Sequence, residues 1–311
     1  MKLFAAAAAL FLAACSPGPE ATRPTIVLES CRLPGVDAPA QCGTYKVWED
    51  RAAKAGRQIS IDIAVIAAKA RAHEADPVVV FAGGPGQGAV SLASQVMPLF
   101  ARLNDTRDVV LIDQRGTGNS NPLDCDEEQQ QPLQQIFEDA LPAKLVTQCL
   151  GKLDADPRLY ITSIAVEDID EVLAALGYDK VNLWGGSYGT RMALEYLRRH
   201  GERVRTVVLD GVAPTNMKLP LSFVADGDAA LRRLIEACEG EARCRQVYPQ
   251  LRDTIAIVRA ELARRPVRAA IQDPRTGERE TISVNENVFL SGLFRPLYVA
   301  ELASLLPLGI S

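Results

Sequence analysis

The sequence predicts an α/β fold, with a mostly parallel sheet flanked by helices and a lobe of helices after it. Residues 77–81 (Pro-Val-Val-Val-Phe) and 108–112 (Asp-Val-Val-Leu-Ile) are short continuous apolar runs bounded by turn residues, as strands covered on both faces should be. From residue 58 to Asp210, strand-like and helix-like patterns alternate, the mark of strands joined by crossover helices. Between residues 219 and 306 the pattern is mostly helical.

Taken in chain order, Met1 and Lys2 give a short basic start, residues 3–12 an apolar run, and Leu12-Ala13-Ala14-Cys15 a small-residue cleavage site. The run is about half the roughly 20 residues that a membrane-crossing helix needs, so residues 1–14 read as a signal peptide. Leu-Ala-Ala-Cys resembles the lipobox of bacterial lipoproteins. That resemblance implies lipid on Cys15, a tether over 15–25, and an exported, membrane-anchored protein facing the periplasm or the cell exterior.

Residues 58–67 alternate, with Ile59, Ile61, Ile63 and Val65 on one face, and predict a half-buried strand. Residues 163–176 place Ile169, Val172, Leu173 and Leu176 at helical spacing, with Gly177 where the helix should stop. A strand at 180–184, a helix at 188–200 and a strand at 203–210 follow. Helices at 229–237 and 250–264 begin the lobe. The expected boundaries are 26–212 for the core and 213–311 for a helical lid. The apolar ending at 298–306 reads as a helix cut from its packing partners, so the lid is expected to be truncated and the last strands of the sheet missing.

Six cysteines remain after Cys15, an even number in a chain with an export signal. Closeness in sequence suggests Cys31–Cys42, Cys125–Cys149 and Cys238–Cys244, one of the 15 ways to pair six. Zinc is disfavoured because the gaps are wide and the chain has only two histidines, His73 and His200. A net charge of −5 with scattered arginines offers no basic stripe for nucleic acid. No metal or cofactor is expected, and nothing specifies an oligomeric state.

Chemistry enters at Gly185-Gly186-Ser187-Tyr188-Gly189, which falls between an apolar strand and a helical pattern. A serine displayed on so sharp a turn needs Gly185, Gly186 and Gly189 as neighbours, because side chains there would collide with the adjoining strand and helix. The N–H of Tyr188, at the helix start, is positioned to stabilise an oxyanion. Gly83-Gly84-Pro85-Gly86 follows the strand at 77–81 and offers a second donor. Gly84 is the first choice and Gly83 the second; Pro85 has no N–H. No Gly-Lys-Ser/Thr or Rossmann spacing supports a phosphate loop instead.

Gly-Gly-Pro-Gly, then Asp113-Gln114-Arg115-Gly116-Thr117-Gly118-Asn119-Ser120, then Gly-Gly-Ser-Tyr-Gly-Thr resemble, in that order, the proline iminopeptidase and tripeptidyl aminopeptidase-like branch of the α/β-hydrolases. The likeness runs from about residue 59 to 210. Ala82 departs from it, since many members carry His there. The resemblance implies the α/β-hydrolase fold, Ser187 as nucleophile of a Ser-Asp-His triad, no cofactor, and release of N-terminal residues or short peptides from a peptide substrate. Arg115 reads as a structural loop residue.

Neither histidine fits the triad. His200 stands 13 residues beyond Ser187, or roughly 20 Å along a helix, and His73 precedes the strand whose opposite end carries the glycine loop. Both are expected at the surface, and Asp210 is expected to be a structural or lid-hinge residue. The triad acid and base are therefore expected to be missing and the chain as given inactive, a fragment of a longer hydrolase. An esterase, or a catalytically dead binding or assembly lipoprotein, are the alternatives. In the lid, Glu236, Glu239, Glu241 and Glu286 are expected to be solvated rather than to hold a substrate amine.

Overall fold

The computed structural model describes residues 26–125, 132–138 and 143–311. The signal peptide, Cys15 and the tether lie outside the described residues. Seven strands make the main sheet: β1 (Glu29–Cys31), β2 (Ala40–Trp48), β3 (Gln58–Ile66), β4 (Val78–Phe81), β5 (Val109–Ile112), β6 (Val181–Gly186) and β7 (Val204–Asp210). Their order is β1-β2-β3-β5-β4-β6-β7. From β5 to β7 all neighbours are parallel, whereas β1, β2 and β3 join antiparallel at the other edge.

The helices of the core are α1 (Ala93–Phe100), α2 (Leu133–Glu138), α3 (Ala143–Lys152), α4 (Thr162–Ala175) and α5 (Tyr188–His200). The strand period of two decides which core each residue joins. Val79 and Phe81 of β4 pack with Ile169, Leu173, Met192 and Tyr196 of α4 and α5. Val78 and Val80 face the other way, onto Ala93, Val96 and Phe100 of α1. With helices on both faces, β4 and β5 are buried along their whole length, which is why their sequences are continuous apolar runs.

Beyond Asp210 come α6 (Leu221–Gly240), α7 (Ala242–Val247), α8 (Leu251–Arg264), the hairpin β8 (Val267–Gln272) and β9 (Arg279–Val284), then α9 (Glu286–Phe294), α10 (Ala300–Ala303) and α11 (Leu306–Ile310). The hairpin is the part of this mostly helical lobe that the sequence did not predict. Its turn is tied by Asp273, whose carboxylate accepts the Arg275 N–H at 2.8 Å, while the Asp273 N–H donates to Glu278 C=O at 2.7 Å. The lobe also holds α2, since Gln134 of that helix donates from Nε2 to Ser283 C=O of β9 at 2.9 Å.

Disulfides join Cys31 to Cys42, Cys125 to Cys149 and Cys238 to Cys244, with Cα separations of 5.8, 5.7 and 5.1 Å. The first staples β1 to β2, the second closes the excursion between β5 and α4, and the third locks α6 to α7. Such bonds persist in an oxidising compartment, outside the cytosol. No helix among the described residues is long and apolar enough to cross a membrane.

Candidate active site

Ser187 sits between β6 and α5 with φ 54° and ψ −120°, in a region that residues with a Cβ rarely adopt. It holds the N-cap position of α5, where a serine normally caps its helix with its own hydroxyl; the Ser187 side chain makes no such bond. The residue is exposed. Its Oγ is therefore left free at the mouth of the sheet by the turn itself.

The glycines explain how so tight a turn closes. A Cβ on Gly185 would lie 2.4 Å from the Gly189 carbonyl oxygen, and one on Gly189 would lie 2.0 Å from that of Phe81. Both are closer than atoms can approach, so any side chain there would push β6, α5 and β4 apart. At Gly186 the neighbour is the Trp184 ring, 2.8 Å from a built Cβ.

The loop after β4 comes to the same place. A Cβ on Gly83 would stand 3.3 Å from Ser187 Cβ and 3.1 Å from the Gly186 carbonyl oxygen, so the two glycine turns are in contact. Gly84 is the next residue, at φ 101°. The Tyr188 N–H opens α5, and the Tyr188 ring is anchored by a 2.6 Å hydrogen bond between its hydroxyl and Thr162 Oγ1. A small pocket next to the glycine loop is lined by Phe81, Ala82, Gln87, Ile112, Gln114, Ile169 and Met192.

The Asp113–Ser120 loop braces this arrangement. The buried Asp113 carboxylate accepts the N–H of Val90 at 2.9 Å and of Asn119 at 3.1 Å, so it ties the segment after the glycine loop to the end of β5. Burial pushes its carboxyl up from the ordinary range, against the pull of those amides, and the charge of Asp62 adds to the rise. Gly118 must be glycine for this contact, since a Cβ would fall 1.8 Å from Asp113 Oδ2.

Arg115 is structural, as the sequence suggested. Its side chain is fully buried, with Nε and Nη2 on Asp168 at 2.5 and 2.9 Å. Its remaining N–H groups reach the carbonyls of Glu49, Leu159 and Trp48 at 2.7, 3.1 and 3.1 Å. Asp168 also accepts from Arg51 Nη1 at 2.8 Å. Burial raises the Asp168 carboxyl, opposed by the hydrogen bonds and charges of Arg115 and Arg51.

Neither histidine is near Ser187. His73 is exposed, ahead of β4, at the end of that strand opposite Gly83. His200 corrects one expectation: its side chain is only 16% exposed, packed on Tyr196, with Nε2 3.5 Å from Glu167 and Nδ1 3.6 Å from Asp170. The length of α5 still separates it from the turn. Among the described residues, no group of three or more His, Cys, Asp or Glu could hold a metal ion. Of the lid carboxylates, Glu239 pairs with Arg252, Glu286 with Arg259, and Glu241 caps α7.

The residues missed in the sequence are Thr190 and Asp168. Thr190 is buried beneath Ser187, and its hydroxyl donates to the Ser187 carbonyl at 2.6 Å. Its position three residues into the helix was the available signal, because the third residue of a helix lies under the cap. Asp168 gave none, since an acid amid Ile169, Val172 and Leu173 reads equally as the wet face of α4.

A strand-turn-helix that displays a strained serine on a sheet covered by helices defines a class, the α/β proteins with a nucleophile elbow. The profile of a family described as the alpha/beta hydrolase fold matches residues 76–235, and the chain belongs to that family. It is similar to the serine protease Hip1 of Mycobacterium tuberculosis, at 28% identity over 169 residues that cover 50% of this chain and 32% of that protein. It is similar also to a tripeptidyl aminopeptidase of Streptomyces lividans, at 27% identity over 228 residues, 68% of this chain and 42% of that one. A proline iminopeptidase of Neisseria gonorrhoeae is 31% identical over 136 residues, 44% of this chain and 32% of that one. The chain thus spans about a third to two fifths of the length of these relatives.

Proposed function

We propose that this chain carries the nucleophile and oxyanion elements of an exported serine peptidase, most simply an aminopeptidase that releases N-terminal residues or short peptides. The observation that carries the reading is Ser187 itself, held at φ 54° with its hydroxyl unused in capping and the glycine loop against it. Peptidase names among the relatives support the substrate class.

In this mechanism Ser187 Oγ attacks the carbonyl carbon of a peptide bond, and the N–H groups of Tyr188 and Gly84 receive the negative charge that develops on its oxygen. Collapse expels the amine, which takes up the proton removed from Ser187, and leaves an acyl-enzyme for water to hydrolyse. A base must take the Ser187 proton, a contribution of about 10² to 10⁴-fold, and neither described histidine can reach it. The 311 residues by themselves are therefore expected to turn over slowly.

The test is to assay peptide p-nitroanilides with free and with acetylated amino ends, beside p-nitrophenyl esters. Preference for the free amine is expected. Equal rates on free and blocked peptides, or turnover of esters alone, would remove the aminopeptidase reading. Fast Ser187-dependent turnover would show that a base is within reach after all.

For the amino end we propose that Cys15 carries lipid and holds the domain at a membrane. Cys15→Ala is expected to move the protein into the soluble fraction after cell lysis; a variant that still pellets with membranes refutes the anchor.

A further inference from the structure

We propose that Thr190 is a positioning residue that clamps the backbone of Ser187 to the segment leading from β7 into the lid. This rests on the reading of Ser187 as the nucleophile. The torsions φ and ψ of Ser187 relate the peptide group before its Cα to the one after it, so fixing both groups fixes both torsions. On the first side, the Ser187 N–H donates to the Asp210 carbonyl at 2.7 Å. On the second, the Ser187 carbonyl accepts from Thr190 Oγ1 at 2.6 Å and from the Thr190 N–H at 3.0 Å.

The Thr190 hydroxyl has one hydrogen, used on Ser187, and its oxygen accepts the Ala213 N–H at 2.8 Å. Both flanking peptide groups of the nucleophile are thus bonded to the stretch 210–213, one directly and one through Thr190. The next residue holds the continuation of that stretch. One guanidinium nitrogen of Arg191 donates to the carbonyls of Pro214, Thr215 and Met217 at 2.9, 2.9 and 2.6 Å.

The strained serine is therefore templated from outside its own turn. Glycines make the turn possible, but they do not select φ 54° over a relaxed value; the hydrogen bonds to 210–213 do. Because the same stretch leads into α6, a shift of the lid's first segment would reach Ser187 through one buried hydroxyl. Valine has threonine's shape without the hydroxyl, and serine keeps the hydroxyl without the methyl.

The experiment measures the rate of covalent capture by a fluorophosphonate, with amide hydrogen exchange by mass spectrometry, on the 311-residue chain and its variants. Thr190→Val is expected to slow capture about 10²-fold, the cost of misplacing a reacting group by roughly 1 Å. Its 210–217 amides should exchange faster, and Thr190→Ser should restore both. Arg191→Gln, which loosens the same stretch from its less buried side, should slow capture and speed exchange to a smaller extent, and it keeps the test alive if Thr190→Val does not fold.

Capture and exchange at wild-type rates in Thr190→Val, or in Arg191→Gln if the former does not fold, would overturn the proposal. If the wild type is captured no faster than Ser187→Ala even with imidazole added as an external base, the nucleophile reading fails. Exchange alone then decides the clamp: unchanged exchange in the variants overturns it, and faster exchange at 210–217 that Thr190→Ser reverses supports it.

Discussion

Asp168→Ala is expected to lower the unfolding free energy by about 3–5 kcal/mol, the range for removing one partner of a buried ion pair. Asp168 is fully buried and is the only side-chain anion that Arg115 contacts among the described residues. Alanine would leave that guanidinium, itself without exposure, with three backbone carbonyls and no counter-charge. Arg51 would keep its bond to Glu171, so the loss should come chiefly from Arg115. Asp168→Asn, which keeps an acceptor oxygen, should cost less. Urea denaturation followed by tryptophan fluorescence measures both, and a loss below about 1 kcal/mol for the alanine variant would show that the pair is poorly coupled to folding.

Ser187→Ala is expected to have the largest effect on chemistry and almost none on stability. The turn is held by backbone hydrogen bonds and glycine contacts, and the Ser187 hydroxyl takes no part in capping, so its loss should change the unfolding free energy by no more than about 0.5 kcal/mol. Covalent capture by a fluorophosphonate should vanish. Where a base is supplied, removing a serine nucleophile costs about 10⁶-fold in turnover. Intact-mass spectrometry gives a direct readout: one adduct on the parent chain and none on the variant. Continued labelling of Ser187→Ala would place the reactive group elsewhere.

How much of this was legible depended on the range of the interaction. The β4 and β5 runs, the α4 stripe and the elbow declare themselves within a few residues, because burial on both faces and a strained turn each impose a local composition. The disulfides were readable for the same reason, each joining neighbours in the chain. What sequence reading missed is held by distant partners. Arg115 and Asp168 are 53 positions apart, and Thr190 meets Ala213 across 23. The β8–β9 hairpin was missed because its strands are short and Ile282 is their one buried residue, so the alternation of Ala269, Ile271, Ile282 and Val284 is a weak signal.

The sheet order has one more consequence. The Val27 carbonyl abuts Gly43, so the chain enters the described fold along β2, near one edge of the sheet. Ser187 stands at the end of β6, with β3, β5 and β4 between. Four strand spacings of about 4.8 Å make roughly 19 Å of lateral offset. A domain held by its amino end would therefore carry Ser187 four strands across the sheet from the point where its chain enters.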